Sequence, residues 1–197
     1  MFREIFMEEQ FIGKFNNMEN IEKATKKLDS INQWISNCDT KSSFVLTFFG
    51  VVLTIIFTSK VGEEMISSFS FQNADEVNQK TVFNFFLVLI SSFFIISSLI
   101  TFYHIYLTLK GRINDKVYGQ NALNTDSNIF FRSIASKTFE NFEKESNSED
   151  KSKYLNDLNS QVFINANIVT LKFKHYNKSL LWMSISLITF LVFILLK

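Results

Sequence analysis

The run from Ser43 to Ser59 contains no Asp, Glu, Lys or Arg, and neither do the runs Val82 to Leu107 and Ser179 to Leu196. A helix crosses a bilayer with about 20 apolar residues. In a chain of 197 residues, three such runs leave little sequence for a water-soluble core. The first run is also continuous with what precedes it. Ile31 to Phe57 begins as an amphipathic helix, passes a polar collar at Asn37-Cys38-Asp39-Thr40-Lys41, and ends apolar. No Pro or Gly separates the two halves, so one helix is expected to run from water into lipid. The predicted fold is an all-α membrane protein whose three transmembrane helices extend into a cytoplasmic helical bundle.

Composition agrees with long helices and excludes several functions. There is no Pro, and there are only 5 Gly. The 24 Phe and 47% hydrophobic content exceed what a soluble domain of this size needs to bury. AT-rich coding explains the same Phe excess, so it is not read as chemistry. A net charge of +1 gives no basic field for nucleic acid, and no DNA or RNA partner is expected. Cys38 stands alone and cannot form an internal disulfide; with 2 His it makes no structural zinc site. No metal and no cofactor are expected. Glu4, Glu8, Glu9 and Glu19 rule the N-terminus out as a secretory signal peptide. There is no P-loop, no GxSxG, no HExxH and no His, Cys and carboxylate cluster, so a non-enzyme is expected.

The expected order is a cytoplasmic N-terminal helical region (1–42), a first span (43–59), an external loop (60–81), a second span (82–109), a cytoplasmic domain (110–178) and a third span (179–196). Residues 1–15 mix Phe and Ile with charges, as in a surface-lying helix or a loose terminus. A helix begins at Asn17, with Ile21, Leu28, Ile31 and Ile35 on one face and Ala24 and Trp34 beside it. Gly111, Asn114, Gly119 and Asn121 are turn-prone. Ser127 to Ala135 reads as a strand or a buried turn. A final helix is expected from near Asp150 to Lys197. Seventeen of the 20 Lys and Arg fall on the side holding the N-terminus and residues 110–178. That asymmetry predicts a multi-pass protein with its N-terminus in the cytoplasm.

Within the spans, Thr47, Gly50 and Thr54 share a face, as do Ser91 and Ser98, and Ser186 lies on the third span's polar stripe. Two readings fit these residues: close helix packing, for which small side chains suit lipid, and a wet, pore-lining surface. Spans free of buried charge argue against a proton-coupled transporter. In the cytoplasmic part, Trp34 offers a stacking surface and Asn37, Ser127 and Arg132 offer donors. Lys41, Lys172 and Lys174 add positive charge near the membrane. An anionic ligand bearing a base needs such groups, though the lysines equally suit anchoring at an anionic leaflet. Asp39, two residues before Lys41, fits a helix-end ion pair.

Trp34-Ile-x-x-Cys-Asp39-x-Lys41-x-Ser43 ahead of a span resembles the signature of the Pycsar effector transmembrane family. Ser127-x-Ile-Phe-Phe-x-x-Ile-Ala135 resembles that family's segment after the second span. Asp157-Leu-x-x-Gln161-Val, followed by Asn167-Ile, Lys172 and Tyr176, resembles its last helix. The similarity runs in order over about residues 28–196. Cys38, Arg132 and Ser133 depart from the family pattern. The resemblance implies an antiphage effector that responds to a cyclic pyrimidine mononucleotide, cUMP or cCMP, made by a partner cyclase. It would then impair the inner membrane, by a ligand-gated oligomeric pore or otherwise, in abortive infection. Its candidate ligand-binding residues are Trp34, Asn37, Asp39, Lys41, Ser127, Arg132, Lys172 and Tyr176. The expected partners are that nucleotide, the lipid bilayer and further copies of the chain, since three helices cannot enclose a wide pore. The alternatives are an effector gated by a cyclic oligonucleotide and a non-conducting membrane adaptor or scaffold.

Overall fold

With no Pro to interrupt it, the first amphipathic stretch and the first span form a single helix, α1, over Phe2–Thr58. Its 57 residues reach about 85 Å. The computed structural model describes residues 2–69, 79–110, 117, 120, 123–124 and 126–197, with side chains described at all of these except 2–16, 79 and 80. The helices that follow are α2 (Lys60–Ser67), α3 (Gln79–Leu109), α4 (Phe131–Ser136), α5 (Phe139–Ser148) and α6 (Lys151–Leu196). No strand occurs among the described residues. Among the described residues, three helices are long and apolar enough to cross a membrane: α1 from Asn17, α3 from Thr81, and α6. The turn-prone Gly111, Asn114, Gly119 and Asn121 lie outside the described residues, as does 70–78 of the expected loop.

The chain forms two compact units. One comprises 38–111 and 171–197 and contains the apolar ends of the three long helices. Its core is Phe49, Leu53, Ile56, Met65, Leu87, Phe94 and Phe193. Phe49 meets Phe102 with ring centroids 5.4 Å apart, and Phe94 meets Phe190 at 5.7 Å. Phe44, Val51, Ile55, Leu99, Leu181 and Leu195 point outward, as lipid-facing side chains do. The polar loop expected from residue 60 starts instead as the short amphipathic helix α2. Ser59 caps it, its hydroxyl oxygen accepting from the Gly62 N–H at 3.2 Å. Gly62 is needed there, because a Cβ would stand 2.2 Å from the Ile56 carbonyl oxygen. Met65 is then driven into the core, and Glu64 pairs with Lys197 at 2.9 Å.

The other unit comprises 1–37 and 112–170. Ala24 and Leu28 on α1 pack with Leu158 on α6, flanked by Ile21, Ile129, Tyr154, Leu155 and Val162. These are the apolar faces that helical spacing predicts. Asn165 donates to Asn32 at 2.9 Å between the same two helices. The segment expected as a strand or buried turn divides at Phe130. Ser127 Oγ accepts from the N–H groups of Ile129 (3.0 Å) and Phe130 (2.9 Å), and that local turn competes with extended pairing. Helix α4 follows directly.

Candidate functional site

The eight ligand candidates divide evenly between the two units. Trp34, Asn37, Ser127 and Arg132 belong to the 1–37 and 112–170 unit; Asp39, Lys41, Lys172 and Tyr176 belong to the other.

In the membrane-crossing unit, Lys172 is buried on α6. Its ammonium donates to Asp39 Oδ1 on α1 at 2.5 Å and to the Thr108 carbonyl on α3 at 2.8 Å. Thr108 lies in the last turn of α3, where carbonyls have no intrahelical partner and the helix dipole favours a cation. One lysine thus ties together the three long helices. Lys41 is exposed, and Tyr176 meets Phe173 edge-on at 6.3 Å.

Further along the same pair of helices, His104 Nδ1 lies 3.1 Å from His175 Nδ1, and the Ser98 and Ser186 hydroxyls lie 2.7 Å apart. With the Thr108–Lys172 contact, these pairs descend α6 as they climb α3, the register of an antiparallel packing. The His pair requires one ring nitrogen to donate and the other to accept, so at least one ring is neutral while the bond is made.

The small-residue positions separate into two kinds. Ser91, Ser98 and Ser186 are buried between helices. Thr47 and Thr54 are exposed, their hydroxyls donating to the carbonyls of Ser43 and Gly50 at 3.0 and 2.9 Å. A Cβ at Gly50 would meet open space. Packing within one chain therefore explains the buried serines and leaves the Thr47, Gly50 and Thr54 face uncovered.

In the other unit, Trp34 and Asn37 are exposed on α1. Arg132, expected to reach a phosphate or a buried carboxylate, is exposed on α4. Lys137 is the enclosed cation instead, with its side chain 9% exposed. It contacts Asp126 at 2.8 Å, Asn128 Oδ1 at 2.8 Å and Glu145 at 2.6 Å, which occupies all three ammonium hydrogens. The hydrogen bond from Lys137 holds the Asp126 carboxyl below its usual range. Burial works to lower the Lys137 value, but hydrogen bonds and charge from Asp126 and Glu145 outweigh it and raise it.

These shifts give a pH dependence. The lowered Asp126 adds stability above the ordinary carboxylate range, and that stability is lost as pH falls through its folded value. The raised Lys137 adds stability that is lost as pH rises through its folded value. The network is thus complete between about pH 5 and pH 10. Because the Asp126 side chain is 70% exposed, its share is below about 1 kcal/mol. Thermal melts of wild type and Asp126→Asn should differ at pH 6 and converge toward pH 3.

Ser127, the remaining candidate, is buried and donates to Asp157 Oδ2 at 2.9 Å. The Asn128 N–H reaches the same oxygen at 2.9 Å. Sequence reasoning did not place Asp157, Lys137 or the His104–His175 pair in a site. For Asp157 a signal existed: a carboxylate beside Leu158 on the apolar border of a long helix.

The family profile described as the Pycsar effector protein domain matches residues 23–197, spanning both units and all three long helices. The chain belongs to the Pycsar effector transmembrane family. The Pycsar effector protein GmPycTM of Gulbenkiania mobilis is 32% identical over 184 residues, covering 91% of this chain and 94% of the relative. No solved structure matches the chain. Membership in this family implies an effector of antiphage defence, with a cyclic nucleotide signal from a cyclase and action at a membrane.

Proposed function

We propose that this Pycsar effector responds to a cyclic pyrimidine mononucleotide, cUMP or cCMP, supplied by a partner cyclase, and impairs the bacterial inner membrane as a homo-oligomer. The match to the family over residues 23–197 carries this reading. The N-terminus and residues 110–178 lie in the cytoplasm, where the nucleotide is made and where most Lys and Arg fall. Segments 1–37 and 112–170 fold as one unit, which fits their separation by two spans. No catalytic step is part of the proposal.

Helices α1 and α6 each contribute residues to both units. A change in their arrangement at one end is therefore felt at the other. A ligand moves such an equilibrium only through different affinities for its two states. The exposed Thr47, Gly50 and Thr54 face supports a second copy packing there, because small residues let helices approach closely in lipid.

The test is the melting temperature of the purified protein in detergent with cUMP, cCMP, cAMP and cGMP in turn. At 100 times its dissociation constant, a ligand of the folded state adds about 2.7 kcal/mol. A selective rise with one cyclic pyrimidine is expected. No rise with any of the four would overturn the nucleotide assignment.

A further inference from the structure

Asp157 on α6 is fully buried, and its two oxygens are not equivalent. Oδ2 accepts from Ser127 Oγ and from the Asn128 N–H, each at 2.9 Å. Oδ1 is equally enclosed and has no hydrogen-bond partner. Buried polar atoms are nearly always satisfied, so an enclosed carboxylate oxygen with no donor calls for an explanation. One helical turn further along α6, Gln161 is 5% exposed. The i, i+4 spacing puts its amide, which both donates and accepts, on the helix face that carries the open acceptor.

A pyrimidine base carries the complement of that pair on one edge. Uracil presents a donor at N3 and an acceptor at O4. Cytosine presents an acceptor at N3 and a donor at N4. We propose that Asp157 Oδ1 and the Gln161 amide read the base of the bound cyclic nucleotide, Asp157 accepting the base N–H and Gln161 donating to the neighbouring acceptor. This inference rests on the cyclic-pyrimidine reading above and names the part of the chain that recognises the base.

The same geometry connects recognition to a change in shape. Asp157 is enclosed, so a base reaches it only when a neighbouring segment moves. The Ser127–Phe130 turn, fastened to α6 by the two bonds to Oδ2, is the segment assigned that movement. Base binding and displacement of this turn are then one event. That gives the nucleotide a different affinity for the two arrangements, as an effector requires.

Asp157→Asn tests the inference without dismantling the fold. The Asn carbonyl accepts from Ser127 and Asn128 as Oδ2 does, and the amide nitrogen replaces Oδ1, turning an acceptor into a donor. Uracil and cytosine order donor and acceptor oppositely along this edge. Titrations of cUMP and cCMP into the detergent-solubilised full chain should therefore show D157N weakening the wild type's preferred nucleotide at least tenfold and reversing the preference. If wild type binds and D157N keeps both dissociation constants, the inference is overturned while the nucleotide reading stands. If wild type binds neither nucleotide, the reading itself fails. Should D157N not fold, Gln161→Met serves instead. It removes the donor while keeping similar volume and adding no charge at a 5% exposed position, and tenfold weaker binding by a folded variant is expected. Unaltered binding by a folded Q161M would contradict the assignment.

Discussion

Asp39→Ala lowers the unfolding free energy by about 2 kcal/mol, and Lys172→Met lowers it by less. The difference comes from where each charge is left when its partner is removed. The Lys172 side chain is 6% exposed, while that of Asp39 is 40% exposed. Without Asp39, a buried ammonium keeps only the Thr108 carbonyl, and water entering from the exposed side of the pair only partly replaces the lost counter-charge. Without Lys172, the Asp39 carboxylate rehydrates, Thr108 loses one hydrogen bond, and the Met side chain fills most of the lysine's volume. Asp39→Asn should fall between the two, since its carbonyl still accepts from Lys172. Chemical unfolding of the micelle-bound variants, followed by circular dichroism, measures all three. A larger loss in Lys172→Met than in Asp39→Ala would mean that the hydrogen bond to α3, and not the balance of charge, holds the helices at this junction.

Leu158→Ala costs about 3 kcal/mol. Leu158 is 2% exposed and packs against Ala24 and Leu28 in the unit read as cytoplasmic, where water is the competing environment. Truncation loses the transfer free energy of the removed carbons and leaves a cavity, because the small Ala24 cannot extend to fill it. The same truncation at Leu87, 6% exposed among the membrane-crossing helices, costs about half as much. Lipid tails solvate a leucine as well as protein does, so only packing is lost there. Unfolding curves of the two variants in one detergent compare them directly. Equal costs would contradict the division into a water-facing and a lipid-facing unit.

The three spans were legible because a long run without Asp, Glu, Lys or Arg has few uses outside a membrane. The final helix was legible too, since no Pro or Gly interrupts it from Lys151 to Leu196. Both partners of the Lys172–Asp39 contact stood out in sequence, but their pairing did not. They lie 133 residues apart, and the third partner is a backbone carbonyl that has no sequence signal. Arg132 looked like the internal cation because it lies in an apolar run, yet helix α4 turns it outward and Lys137 takes the carboxylates. Lys137 sits in polar sequence with nothing to mark it, and only the turn at Ser127 brings Asp126 and Asn128 around it. Helix α2 was read as loop because it has 8 residues, although Val61 and Met65, one turn apart, already gave it an apolar face. The helix expected to begin at Asn17 extends back to Phe2, since the intervening residues contain no Pro to stop it.

The most direct test of the central proposal is ion flux from liposomes containing the purified chain, with each of the four cyclic mononucleotides added in turn. Release is expected on addition of cUMP or cCMP, with none on addition of cAMP or cGMP and none from protein-free vesicles. Folded, inserted protein that releases nothing with either cyclic pyrimidine, or that releases equally without nucleotide, would contradict it.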